Sequence, residues 1–324
     1  MLTEPAIGHD LIHQALQRLY YLDVHALRFL SPGGECSWSY KVEAAQGSYF
    51  LKLSQTRVCG DQISERGLVA ADSLAETLGQ HQIITALRAP ATRQFLNSIE
   101  GYTAVVIPFV DGQSQHEGGL TAEQRFQLGE LIAHIHQYVP DMTLLPPHDT
   151  LARNGVQGWQ QLSIALDQPS PEWTPIQQQM ADLLRAVRGE TERLIAEYAA
   201  LEQVIRADRR IPLMFCHGDP SAGNVLVQPD GTIALIDWDS PVWGPPEHDL
   251  FHLKDDAEVM AGYRRVAGVV YLNETLLKAY QYAWDIGEIV DYGFRTLLTT
   301  QSEAQYAHDV QELGSHLRDT GLII

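Results

Sequence analysis

The sequence predicts an α+β chain of two lobes, a small antiparallel sheet followed by a larger, mostly helical part. Three observations predict it. Short runs rich in β-forming residues, separated by tight turns, fill much of the chain up to Phe109. Pro108-Phe109-Val110-Asp111-Gly112 then places a proline and a glycine close together, which marks a break between lobes. Beyond Thr121 most apolar residues recur at helical spacing. The lobes are read as residues 1–109 and 110–324.

In order along the chain, Leu11, Ile12, Ala15, Leu16 and Leu19 give an amphipathic helix over 9–20. His25 to Leu30, Trp38 to Ala44 and Ser48 to Leu53 read as three strands of a meander, joined by the small-residue turn 31–37 and by Gln46-Gly47. A helix over 61–79 ends at Gly79, and strands follow near Arg93 to Asn97 and over Tyr102 to Ile107. Thr121 caps the next helix, with Gln124 three residues on as in a capping box. Residues 140–172, with many Pro, Gly and polar residues, read as a loop-rich insertion. A long amphipathic helix runs from about Ile176 to Arg209, with Gly189 as a point where it bends. Two or three further helices occupy 255–318.

The chain carries a formal net charge of −19. Nucleic acids and anionic membranes need clustered Lys and Arg, so neither is an expected partner; a cationic small molecule suits this surface better. Cys36, Cys59 and Cys216 are too scattered for a disulfide framework or a zinc site, which fits a reducing cytoplasm. The first residues show no signal-peptide pattern, and no apolar run is long enough to span a membrane. A monomer or weak homodimer is expected.

The most informative stretch is His217-Gly218-Asp219-Pro220-Ser221-Ala222-Gly223-Asn224-Val225-Leu226-Val227. A turn follows at Pro229-Asp230-Gly231, then Ile233-Ala234-Leu235-Ile236-Asp237-Trp238-Asp239. This reads as a polar loop and a hairpin of two short strands, which returns Asp237 beside Asn224. Two carboxylates and an amide oxygen make a hard, oxygen-only site of the kind Mg²⁺ takes. Phosphoryl transfer needs such positioning, metal on the phosphates and a group to receive the hydroxyl proton.

His-Gly-Asp, four residues, Asn, then Ile-Asp-Trp-Asp resembles the aminoglycoside phosphotransferase family, relatives of the protein kinases. Leu128 to His136 and Glu247-His248-Asp249-Leu250 resemble further parts of that family, the second carrying its structural Asp. The resemblance implies a protein-kinase-like bilobal fold. It implies that Asp219 receives or orients the acceptor hydroxyl and that Asn224 and Asp237 bind Mg²⁺. His217 is read as an anchor of the loop rather than a metal ligand.

The resemblance also implies that Lys52, a lysine within an apolar strand, contacts the phosphates of ATP or GTP. Its expected partner is Glu65, with Glu76 as the alternative. Gly33 and Gly34 allow close backbone approach to the phosphates. Pro108 and Val110 offer a carbonyl and an N–H to the adenine ring.

Within the family, the stretches 48–53, 223–227, 236–241 and 288–293 are most similar to the spectinomycin phosphotransferases. That likeness implies phosphorylation of an aminocyclitol hydroxyl and antibiotic resistance. Asp285 and Glu288 lie i, i+3 on a helix, and with the nearby Trp284 and Tyr292 they suit a cationic amine. Asp249, Asp255 and Asp256 are further acceptor-side candidates. Two other readings stay open: a metabolic kinase of the same fold, acting on choline, methylthioribose, homoserine or a sugar, and a non-catalytic nucleotide-binding protein.

Overall fold

A computed structural model describes residues 1–31, 37–54, 63–79, 81–114, 119–149 and 155–323. Helix α1, His9–Tyr20, opens the chain, and β1 (Val24–Leu30), β2 (Ser37–Ala44) and β3 (Gly47–Ser54) form the expected meander. Helix α2 (Glu65–Leu78) follows, then β4 (Asn97–Ile99) and β5 (Tyr102–Pro108). The five strands form one antiparallel sheet in the order β1-β2-β3-β5-β4.

Alternation explains what each face of the sheet does. Leu51 and Leu53 are fully buried and pack with Ile12, Leu16 and Leu19 of α1. Lys52, between them, is carried on the opposite face, towards the large lobe. The predicted helix over 61–79 is shorter among the described residues, starting at Glu65, where Ser64 caps it by accepting the Gly67 N–H at 3.2 Å. Gly79 ends it at φ 111°. Gly33 and Gly34 lie outside the described residues.

The large lobe begins at β6 (Gln113–Ser114) and α3 (Ala122–Gln137), whose N-terminus carries the complete Thr121–Gln124 capping box. The insertion 140–172 is not simply loop. It contains α4, Gly155–Asp167, which buries Trp159, Leu162 and Leu166 against the helical core. Its spacing i, i+3, i+7 is helical, but the prolines and glycines around it obscured the pattern. Helix α5, Pro175–Ala207, runs unbroken through Gly189.

Next come β7 (Met214–Cys216), β8 (Val225–Val227), β9 (Ile233–Leu235), β10 (Val242–Gly244) and the single-turn α6 (Glu247–Leu250). Three helices close the chain: α7 (Ala257–Ala267), α8 (Glu274–Leu298) and α9 (Glu303–Asp319). Strands β6, β8 and β9 pair in one small sheet, and β7 with β10 in another. These short strands set the polar loop 217–224 and the segment 237–239 between the two lobes.

α3 and α7 touch backbone to backbone. A Cβ at Gly129 would lie 1.9 Å from the Val259 carbonyl oxygen, and one at Gly262 would lie 1.9 Å from that of Phe126. No helix among the described residues is long and apolar enough to cross a membrane.

Candidate active site

Asp219 and Asn224 sit on the loop after β7, and Asp237 sits just beyond β9. β8 and β9 pair Val225 with Leu235, as the predicted hairpin requires. The Ile236 N–H donates to the Asn224 carbonyl at 2.9 Å, which ties the two halves together. Asn224 Nδ2 donates to one Asp219 carboxylate oxygen and to the Asp219 carbonyl, both at 2.9 Å. The Ser221 N–H reaches the other carboxylate oxygen at 3.3 Å. With Nδ2 used this way, Oδ1 is the Asn224 atom presented to a cation.

His217 fastens the loop. Its Nδ1 accepts the Asp219 N–H at 3.2 Å, so Nε2 carries the proton and donates to the Ile236 carbonyl at 3.0 Å. Trp238 packs edge-on against the ring, at 4.4 Å between centroids. Gly218 has φ 102°, and a Cβ there would meet the Ser240 carbonyl oxygen at 2.5 Å. Only glycine fits that turn.

From across the cleft, the Lys52 ammonium lies 2.8 Å from Asp237 and 2.6 Å from Asp239. Asp239 was not among the residues expected here. Asp237, Trp238 and Asp239 lie in a turn after β9 that brings both carboxylates to Lys52 while Trp238 enters the core; the second acid of the Asp-Trp-Asp motif is the one signal for it in the sequence. Asp237 adopts φ 63°, a left-handed conformation that Asp tolerates better than most residues.

Burial favours the neutral form of all three groups. For Lys52 the two carboxylates outweigh burial and raise its pKa, so the ammonium stays charged. For Asp237, burial is outweighed by Lys52 and the pKa falls. For Asp239, burial together with the neighbouring Asp237 charge prevails over Lys52 and lifts the pKa to about 6.

The expected Lys52–Glu65 pair is not formed. Glu65 instead accepts the backbone N–H groups of Phe95 (3.0 and 3.1 Å) and Leu96 (2.7 Å). Unpaired amides next to the turn before β4 capture the carboxylate, while Lys52 has two acids of its own. The alternative, Glu76, lies exposed near the far end of α2. Pro108 closes β5, and the Phe109 N–H donates to Ser48 at 3.0 Å. Pro108 and Val110 are both half-buried where the chain passes between lobes.

Asp249 does not face a substrate. Its side chain is wholly buried and accepts the N–H groups of His217 and Gly218, both at 2.8 Å, and His136 Nε2 at 3.1 Å. Burial pushes its pKa up, but the hydrogen bond from His136 outweighs this, and the pKa falls. Because an ionised carboxylate only accepts, His136 donates from Nε2, and its Nδ1 accepts the Tyr263 hydroxyl at 2.7 Å. Cys216 lies beside this pair, with ligand atoms of all three residues within 4.8 Å of one another. The His136 and Asp249 atoms are already hydrogen-bonded and burial holds the thiol well above its ordinary pKa, so the trio is scaffold.

Asp285 also turns inward. It accepts Gln281 Nε2 at 3.0 Å and lies 3.6 Å from His316 Nε2 on α9, rather than sharing an open face with Glu288. Trp284 is half-buried and meets His252 edge-on at 4.8 Å; Glu288 is half-buried on the same helix. Asp256 caps α7 by accepting the Glu258 and Val259 N–H groups, and Asp255 is exposed.

The profile of the family described as "Phosphotransferase enzyme family" matches residues 28–286. The chain belongs to this family. It is therefore an enzyme of the phosphotransferase class, as the motif order implied. Protein StrN of Streptomyces griseus is 25% identical over 275 residues, covering 82% of this chain and 78% of that protein. Among solved structures, a spectinomycin phosphotransferase in complex with ADP and spectinomycin superposes with a TM-score of 0.75 at 19% identity. That match covers 98% of this chain and all of the other. Choline kinase LicA from Streptococcus pneumoniae superposes at 0.57 with 12% identity, covering 96% and 98% of the two chains. At such identities the likeness establishes the shared two-lobed, kinase-like fold.

Proposed function

We propose that this phosphotransferase moves the terminal phosphoryl group of ATP onto a hydroxyl of a small cationic aminocyclitol of the spectinomycin kind, and so confers antibiotic resistance. The observation that carries the reading is the interlobe contact of Lys52 with Asp237 and Asp239, beside the Asn224–Asp219 pair. It places one cation from the small lobe against the oxygen donors of the large lobe, at the seam where a triphosphate would lie.

Asp237, Asn224 and Asp219 suit a hard cation, since all their free donors are oxygens. Asn224 and Asp237 would hold Mg²⁺, which when bound neutralises charge on the phosphate oxygens. Lys52 exchanges carboxylate for phosphate oxygens as nucleotide enters. Asp219, held by Asn224 and the Ser221 N–H, orients the acceptor hydroxyl and takes its proton as the new O–P bond forms and ADP leaves. Trp284 and Glu288 are the acceptor-side residues that remain in this reading, and the chain's net charge of −19 favours a cationic acceptor.

The test is ADP release by the purified protein with Mg·ATP and single acceptors: spectinomycin, other aminoglycosides, choline, methylthioribose, homoserine and simple sugars. Spectinomycin-dependent turnover, with one phosphate added by mass spectrometry, is expected. Turnover with choline or a sugar alone would replace the antibiotic reading by a metabolic one, and no turnover with any acceptor would favour nucleotide binding without catalysis. Asp219→Asn is expected to lower turnover by about 10²–10⁴-fold while ATP still binds.

A further inference from the structure

Residues 1–3 touch both lobes. On the small-lobe side Met1 is buried in the sheet core, and its nitrogen reaches the Ser37 carbonyl at 3.4 Å. The Leu2 carbonyl accepts the Ser31 hydroxyl at 3.1 Å, and the Thr3 carbonyl accepts the Trp38 indole N–H at 2.9 Å. Ser31 follows the end of β1 and Ser37 begins β2. On the large-lobe side, the Leu2 N–H donates to Gln305 Oε1 at 3.0 Å.

Gln305 lies in the first turn of α9 and is only 3% exposed. Its Nε2 donates to Asp309 Oδ1 at 2.9 Å. Asp309 also accepts Nε and Nη2 of Arg295 on α8, each at 3.1 Å, and both side chains are wholly buried. The Arg295 guanidinium stands 4.7 Å over the Tyr292 ring. Hydrogen bonds therefore run without a gap from the facing ends of β1 and β2 to α8.

A buried amide needs both its ends bonded, and Gln305 has one end in each lobe. Asp309 only accepts, so the NH₂ must face it and the oxygen must face Leu2. The amide cannot flip without losing both bonds.

We propose that residues 1–3 form an interlobe strap and that Gln305 is its positioning residue, coupling nucleotide binding on the small lobe to the α8–α9 pair of the large lobe. The coupling rests on the nucleotide reading given above. One net hydrogen bond supports a coupling of at most about ten-fold in affinity.

Hydrogen exchange followed by mass spectrometry, with and without Mg²⁺ and a non-hydrolysable ATP analogue, tests it in the full chain. Wild type, Gln305→Leu, Leu2→Pro and Leu2→Ala are compared. Leu2→Pro removes the strap's N–H donor while keeping the Leu2 carbonyl that Ser31 uses, so it carries the test should Gln305→Leu fail to fold. Leu2→Ala keeps that N–H and should behave as wild type.

The analogue should slow exchange over 47–54 in every protein, and over 303–319 only in wild type and Leu2→Ala. Its affinity should weaken by about three- to ten-fold in the two strap variants. Protection of 303–319 that survives in both strap variants, or is missing from wild type, overturns the strap. No protection of 47–54 in wild type overturns the nucleotide reading, and the coupling with it.

Discussion

Asp249, beneath the 217–224 loop, and Asp285, in the seam between α8 and α9, are both buried acids, 1% and 6% exposed. Their surroundings push them in opposite directions. Asp249 receives two backbone N–H groups and His136, and its pKa falls. Asp285 has one amide donor and a histidine 3.6 Å away, and burial raises its pKa to about 6. Depth alone does not decide the charge of a buried carboxylate; the number of donors aimed at it does. The region next to the proposed chemistry has a built-in anion that holds backbone, and the outer seam has an acid that keeps its proton up to about pH 6.

The strongest way to break this comparison is Asp249→Ala. It leaves two buried N–H groups and His136 without their acceptor, so a loss of about 3–5 kcal/mol is expected in urea unfolding. Turnover should fall as well, because His217 and Gly218 lead directly into Asp219. Since its folded pKa is depressed, the contribution of Asp249 should be present at neutral pH and be lost on acidification through that depressed pKa. Asp285→Ala, lacking such donors, should destabilise far less, and equal losses would erase the contrast.

Tyr263→Phe sharpens the same side. It removes the hydroxyl that His136 Nδ1 accepts. The histidine can then turn its donor away from Asp249, and the expected loss is about 1–2 kcal/mol. A one-pot comparison of melting curves and of kcat against KM checks it: kcat should fall with KM for ATP unchanged. An unchanged kcat would confine Tyr263 to packing.

The two regions also differ in how far they could be read from sequence. Helix α1 over 9–20, the three-strand meander, the Thr121–Gln124 box and the 225–235 hairpin follow local patterns, and the structure has them there. Glu65 could not be read, because what claims it is a pair of amides thirty residues away in sequence. The Leu2–Gln305 bond uses a backbone N–H, which leaves no trace in residue identity. Asp285 looked like half of an open acidic face because i, i+3 spacing says which residues share a side of α8, not which side meets α9. Asp249 carried the family's structural role by resemblance and an acceptor-side role by charge; its bonds keep the first and remove the second.

Asp285→Asn gives the smallest effect, and one of opposite sign. The folded pKa is raised from 3.8 to about 6, so the folded protein binds the proton more tightly than the unfolded chain does. Asp285 thus favours folding fully below the unfolded pKa, and that advantage fades as pH rises through about 6. His316, facing it from α9, has its own pKa lowered by burial, so it does not supply a compensating charge at high pH. Asparagine keeps the shape and cannot ionise, so it should stabilise the protein at pH 8 by about 1 kcal/mol, after allowing for solvent reach around the side chain. At pH 4 the difference from wild type should vanish. Urea titrations of both proteins at the two pH values measure it. A substitution that destabilises equally at both would mean that the fold favours the Asp285 anion, as it does that of Asp249, and the two regions would then follow one rule.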